Sequence, residues 1–295
     1  MSDPELVTIA SDTLTARINP LGAELWSLTD RDHREYMTDA DPAFWTGRAP
    51  LLFPIVGALN GGRYRLDEAE HALPKHGFAR TSRFEVVEAD AAQACFRLRD
   101  SGATRAAYPF AFALDVAFRL DGWTLHVEAR VENRDSTALP FSFGFHPAFA
   151  WPLPGGAAKA DHRVTFVQDE PQAIRRIDPA TGLVLHEPQP TPVEGRVFVP
   201  DAAQFEADAL IWDRLNSRAL RFGAEGGARL AIAFPDTPML GIWQKPGANY
   251  LCVEPWQGIA DPIDFGGDFR AKPGIVVLPP GESRSFRMDV TVTPG

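Results

Sequence analysis

Hydrophobic and polar residues alternate with a period of two along most of this chain. Phe110, Phe112, Leu114, Val116, Phe118 and Leu120 fall on one side, with Ala111, Ala113, Asp115, Ala117 and Arg119 on the other. Such alternation marks a strand with one buried face. Asp121-Gly122 follows, a pair that favours a tight hairpin turn because its backbone accepts positive φ. Trp123, Leu125, Val127, Ala129 and Val131 then alternate with Thr124, His126, Glu128, Arg130 and Glu132. Residues 110–132 therefore predict a long antiparallel hairpin. The pattern recurs at 84–88 and 95–98, at 219–222 and 228–234 around a glycine-containing turn, at 13–18 and 23–28 around Asn19-Pro-Leu-Gly22, and at Phe286, Met288, Val290 and Val292. Helical periodicity is scarce, with one short turn expected over 201–207. No linker divides the chain, and prolines and glycines are spread throughout. The expected fold is all-β, a large antiparallel β-sandwich, in one domain over residues 1–295.

The charge balance narrows the partners. A formal charge of −10 opposes binding to nucleic acid, which needs a basic patch, and docking on anionic membranes. Cys95 and Cys252 lie in apolar runs and read as free thiols rather than a disulfide. The segment 1–12 has no basic leader, and no stretch reaches membrane-spanning length, so the expected location is the cytoplasm.

Three segments carry the candidate chemistry: His76-Gly-Phe-Ala-Arg80, Phe143-Gly-Phe-His146-Pro-Ala-Phe149 and Glu254-Pro-Trp-Gln-Gly-Ile-Ala-Asp261. Phe141, Phe143 and Phe145 alternate onto one face, leaving Ser142, Gly144 and His146 on the other, with open room beside the imidazole. Pro147 biases His146 to an extended backbone at a strand end. Leu251 and Val253 point one way, Cys252 and Glu254 the other, and Pro255 is expected to end that strand too. A carboxylate in such a half-apolar setting is partly desolvated, which disfavours its charge and strengthens it as a base. His76 falls in a loop where Gly77 permits an unusual backbone angle, and Arg80 offers a planar fork of donors. Arg48 is balanced between a ligand contact and a structural role. His33, His71, His126, His162 and His186 read as surface or core residues without chemistry.

Taken together these residues resemble the aldose 1-epimerase (galactose mutarotase) superfamily, in its branch of short bacterial proteins. The resemblance runs nearly end to end, through Asn19-Pro-Leu-Gly-Ala-Glu-Leu25, Arg48-Ala-Pro-Leu-Leu-Phe-Pro-Ile-Val-Gly57, Lys75-His-Gly-Phe-Ala-Arg80, Gly144-Phe-His-Pro-Ala-Phe149, Ala207-Asp-Ala-Leu-Ile211, Leu240-Gly-Ile-Trp243 and the segment closing at Asp261. It implies a β-supersandwich and interconversion of the α and β anomers of a hexose, with Glu254 as catalytic base, His146 as catalytic acid, His76 as a second histidine binding the sugar, and Asp208 holding ring hydroxyls. Glu254 and His146 are then expected at the tips of different strands, handing protons to opposite sides of one hemiacetal, with a pyranose between them. No metal, nucleotide or covalent intermediate is implied. Trp243, Trp256 and Phe78 are candidates for stacking on the sugar.

Galactose mutarotases carry an arginine where this chain has Ala58, so a guanidinium contact to the sugar hydroxyls is either missing here or supplied by Arg48 or Arg80. The expected substrate is a hexose; a related branch, also with His-Gly-Phe-Ala-Arg, implies the alternative of a hexose 6-phosphate, whose phosphate Arg48 or Arg80 could hold. Two other readings compete: a non-catalytic sugar-binding or sensing protein on the same fold, and a metalloenzyme using His76, His146 and Glu254 as a two-histidine, one-carboxylate site. The oligomeric state is expected to be a monomer or homodimer.

Overall fold

The computed structural model describes residues 5–295, so the first four residues of the N-terminal segment lie outside the description. No helix among the described residues is long and apolar enough to cross a membrane. The fold is antiparallel throughout its named strands. A nine-stranded sheet runs from Val197–Phe198 through His162–Phe166, Ala219–Ala224, Arg229–Ala233, Ser283–Thr293, Thr124–Asn133, Phe112–Asp121 and Gln93–Arg99 to Glu85–Ala89. A second sheet orders Leu210–Trp212, Met239–Trp243, Tyr250–Gln257, Phe143–Phe145 and Leu51–Leu52, and Ala148–Ala150 also pairs with Tyr250–Gln257. A three-stranded sheet carries the N-terminal region.

The predicted hairpin forms with the predicted phase. Leu125, Val127, Ala129 and Val131 are buried, and Glu128 and Arg130 are exposed. Its turn sits one residue later than expected: Asp121 pairs with Thr124, so Gly122 and Trp123 make the loop. The 201–207 turn is a 3-10 helix, Ala202–Phe205, capped by the Asp201 side chain. One α-helix, Gly102–Ala107, escapes the sequence reading. At six residues it is too short for periodicity to show, although its Ser101/Thr104 capping box is written in the sequence. Cys95 and Cys252 are free thiols.

Apolar faces of the two larger sheets meet in one core. Phe143 stacks on Phe286 of the large sheet, ring centroids 4.9 Å apart and 15° from parallel. Leu251 and Val253 join the same core, as do Leu240 and Ile242 of the neighbouring strand. Because strand residues alternate, burying these side chains forces Cys252, Glu254 and Trp256 onto the opposite face of the second sheet. Strand alternation alone thus delivers the candidate chemistry to one wall.

Candidate active site

Phe141, Phe143 and Phe145 are fully buried in the core, so His146 emerges on the other face just beyond the Phe143–Phe145 strand. Glu254 lies on the adjacent Tyr250–Gln257 strand. The pairing Gly144↔Trp256 on one side and Ala148↔Cys252 on the other brings residues 145–147 opposite 253–255. His146 Nε2 and Glu254 Oε2 stand 3.1 Å apart. The expectation that Pro255 ends its strand is wrong, since the strand runs on to Gln257. Pro255 has no N–H to donate and falls opposite Phe145, just past the last paired position, Gly144↔Trp256.

Trp256 lies flat on the sheet beside Glu254. That position requires glycine on both neighbouring strands. A Cβ on Gly144 would be 2.6 Å from Trp256 Cδ1, and one on Gly241 would be 2.5 Å from Trp256 Cη2.

His76 reaches the same place from a turn, with φ +70° at His76 and +72° at Gly77. Its imidazole is perpendicular to that of His146, centroids 5.9 Å apart. The backbone N–H of Gly57 donates to His76 Nδ1 at 3.1 Å. An amide can only donate, so Nδ1 is an acceptor and the proton of the neutral ring sits on Nε2.

These residues line a solvent-open cavity. Its polar groups include Glu254, His146, His76, Asp208, Arg80 and Lys75, and its apolar walls include Trp45, Trp243, Trp256 and Ile211. Trp45 tilts against His146 at 5.1 Å between centroids, and Trp243 meets it edge-on at 6.0 Å. Burial pushes the Glu254 carboxyl well above the usual range; the Asp208 carboxylate adds to this and Lys75 opposes it. Burial likewise drives His146 down to about 3, with Arg80 and Lys75 adding to the push. His76 is lowered by burial and then by His146, Lys75 and Arg80. Each of the three is thus held toward its neutral form. The Nδ1 of His146 is buried without a hydrogen-bond partner among the described residues.

Of the six residues singled out in the sequence, five come together: His76, Arg80, His146, Asp208 and Glu254. Arg48 does not. Its guanidinium donates to the carbonyls of Thr38 at 2.8 Å and Trp26 at 3.3 Å and stacks on the Trp26 ring at 4.8 Å. It ties the 38–48 loop to the three-stranded sheet and contacts no cavity group. Phe78 also departs from expectation, packing among Phe53, Tyr108 and Phe112 rather than lining the cavity. The arrangement of the central pair differs as well. Glu254 and His146 are side by side on one wall, not on opposite sides of a gap the width of a sugar.

The sequence reading missed Lys75 and Trp45. Lys75 sits next to His76, and a Cβ on Gly182 would be 3.3 Å from Ala58 Cβ and 3.9 Å from Lys75 Nζ. Lys75 and Ala58 therefore flank one glycine. Neither Lys75 nor Arg80 makes a salt bridge among the described residues. Among the described residues, His146, Cys252 and Glu254 form the one set of possible metal donors, with ligand atoms within 4.8 Å of one another. His76 is not part of that set.

A sandwich whose second sheet presents a buried imidazole–carboxylate pair beneath a tryptophan-walled cavity agrees with the comparison to known sequences. The chain belongs to the aldose 1-epimerase family, whose sequence pattern matches residues 5–291. Among individual proteins, it is 30% identical to the plasmid-borne protein LacX of Lactococcus lactis subsp. lactis, over 97% of this chain and 99% of that one. A galactose mutarotase related enzyme from Lactobacillus acidophilus shares 30% identity with a TM-score of 0.89, covering 98% of this chain and 97% of its own. A galactose mutarotase-like protein from Lactobacillus casei shares 27% with a TM-score of 0.90, covering 98% and 100%.

Proposed function

We propose that this protein is an aldose 1-epimerase, an isomerase that interconverts the α and β anomers of a hexose by acid–base ring opening. The observation that carries the reading is the 3.1 Å contact between His146 Nε2 and Glu254 Oε2 in the wall of an open cavity. The anomeric hydroxyl oxygen and the ring oxygen are both bonded to C1. A base for the first and an acid for the second must therefore be near neighbours, and side-by-side groups suit this better than groups on opposing walls.

Burial disfavours a charge on either partner, so the resting pair is neutral and holds its proton between the two atoms. Transfer across the contact gives the carboxylate–imidazolium form. In that form Glu254 takes the proton of the anomeric hydroxyl and His146 delivers one to the ring oxygen as the C1–O bond breaks. The open aldehyde turns about C1–C2, and closure runs the same steps with the roles exchanged. His76, with its proton fixed on Nε2, donates a hydrogen bond to the sugar and stays neutral. Asp208 accepts from ring hydroxyls, and Trp243 and Trp256 offer faces to the apolar side of the ring. The substrate is a small sugar, and the chain's own side chains supply both proton transfers.

A second reading, a hexose 6-phosphate as substrate, draws on one observation. Lys75 and Arg80 are cations at the cavity with no carboxylate partner among the described residues, in a chain whose formal charge is −10. The test is polarimetry on freshly dissolved α-glucose, α-galactose and glucose 6-phosphate. Wild-type protein is expected to speed the approach to equilibrium of one of these at least tenfold over buffer. Rates equal to buffer for all three would overturn the reading, and a preference for the phosphate ester would select the second form of it.

A further inference from the structure

Asp261 closes the Glu254–Asp261 motif, yet its carboxylate takes no part in the chemistry above. It forms an interior ion pair. Lys272 Nζ donates to Asp261 Oδ1 at 2.6 Å, with side chains 0% and 3% exposed. Burial lowers the Lys272 ammonium and Asp261 draws it back up. Desolvating both charges offsets most of their attraction, so such a pair adds little net stability. What it offers here is a rigid acceptor. Asp261 Oδ2 accepts the backbone N–H of Asn60 at 2.9 Å, and the Asp261 N–H donates to the carbonyl of Ala58 at 2.9 Å. Residues 58–60 are held at both ends. Gly57 comes immediately before them. Its N–H donates to His76 Nδ1 at 3.1 Å, and its carbonyl accepts the His76 N–H at 2.8 Å. With φ at +75°, Gly57 lies so close to Ala260, the neighbour of Asp261, that an added Cβ would fall 2.4 Å from the Ala260 Cβ.

We propose that Asp261, anchored by Lys272, is a positioning residue for His76. Through residues 58–60 it places the Gly57 amide, and that amide keeps Nδ1 an acceptor and Nε2 the protonated nitrogen facing the cavity. The inference rests on the reading of His76 as a sugar-binding group. A fixed second partner of this kind sets which nitrogen of a histidine carries the proton.

The test uses two variants of the full chain. Asn60→Pro deletes the single N–H that Asp261 Oδ2 accepts and leaves the ion pair intact; proline suits the first position of the short 3-10 turn that begins there. Asp261→Asn with Lys272→Met removes both charges together, so no unpaired charge stays buried. The readouts are the ring 15N shifts of histidine-labelled protein, which distinguish Nε2–H from Nδ1–H, and kcat and KM for anomer exchange. The expected result is a mixture of tautomers at His76 and a fall in kcat/KM of roughly 10²-fold, the scale of a misplaced binding group, in at least one variant. A single Nε2–H tautomer with wild-type kcat/KM in both would overturn the proposal. The tautomer is read without sugar. A wild-type protein that fails to anomerise hexoses would therefore count against the reaction and still leave the link from Asp261 to His76 open to measurement.

Discussion

Replacing Glu254 with glutamine separates its chemistry from its structural role. The amide has nearly the shape of the carboxyl and keeps a polar contact with His146 Nε2, 3.1 Å away in the wild type. It cannot take a proton from an anomeric hydroxyl. A positioned proton-transfer group is worth about 10²–10⁴-fold in rate, or roughly 3–5 kcal/mol of barrier, and that whole factor is expected to vanish. Stability should move the other way. Burial raises the Glu254 carboxyl above its ordinary value of 4.5, so between the unfolded and folded values the native state binds more protons than the unfolded chain. Wild-type stability therefore falls as pH rises through that window, and Glu254→Gln has no such loss. The assay pairs polarimetry of α-hexose with urea unfolding at pH 5, 7 and 9. Expected are a rate near that of buffer and a stability advantage for the variant that grows with pH. Wild-type rate in a folded Glu254→Gln protein would remove the proposed base. A variant that loses stability as pH rises faster than wild type would refute the argument from burial.

Two more outcomes follow from the same wall. His146 is held neutral in the fold, down to about 3 from an ordinary 6.5. Its contribution is present above pH 6.5 and lost as pH falls toward 3, at ~1.4 kcal/mol per pH unit and on the order of 5 kcal/mol in all. Urea unfolding of wild type and His146→Asn should converge in stability between pH 7 and pH 4, and parallel curves would contradict the assignment. Gly144→Ala places a Cβ 2.6 Å from Trp256 Cδ1, so the indole must lift into the cavity. Weaker sugar binding with an overpacking cost of about 1–3 kcal/mol in thermal or urea unfolding is expected; unchanged KM and midpoint would show that Trp256 has room to spare.

Much of this was legible in the chain because a strand's period of two reports on burial directly. Phe141, Phe143 and Phe145, or Leu251 and Val253, state which face is core, and His146 and Glu254 follow by exclusion. Sheet order was not legible, since nothing local says that His162–Phe166 pairs with Ala219–Ala224. The run of strand through Pro255 was hidden for a related reason: proline's cost depends on the neighbouring strand, whose pairing here stops at Gly144↔Trp256 and resumes at Ala148↔Cys252. Arg48 was ambiguous because its partners are backbone carbonyls, which leave no mark in sequence. Lys75 and Trp45 reach the cavity from loops, where alternation gives no direction for a side chain. The carbonyl and amide links that join Asp261 to His76 are equally silent, although the aspartate itself stood in a recognised motif.

The claim on which the rest depends is that Glu254 and His146 act as one proton-transfer unit. The direct measurement is the anomer-exchange rate, by NMR exchange spectroscopy on a hexose, for Glu254→Gln, His146→Asn and the double variant. Groups that work as a unit lose most of their effect when either is removed. The account predicts two single variants slowed by about 10²-fold or more and a double variant no slower than the worse of them. Losses that multiply in the double variant, or a single variant that retains the wild-type rate, would contradict it.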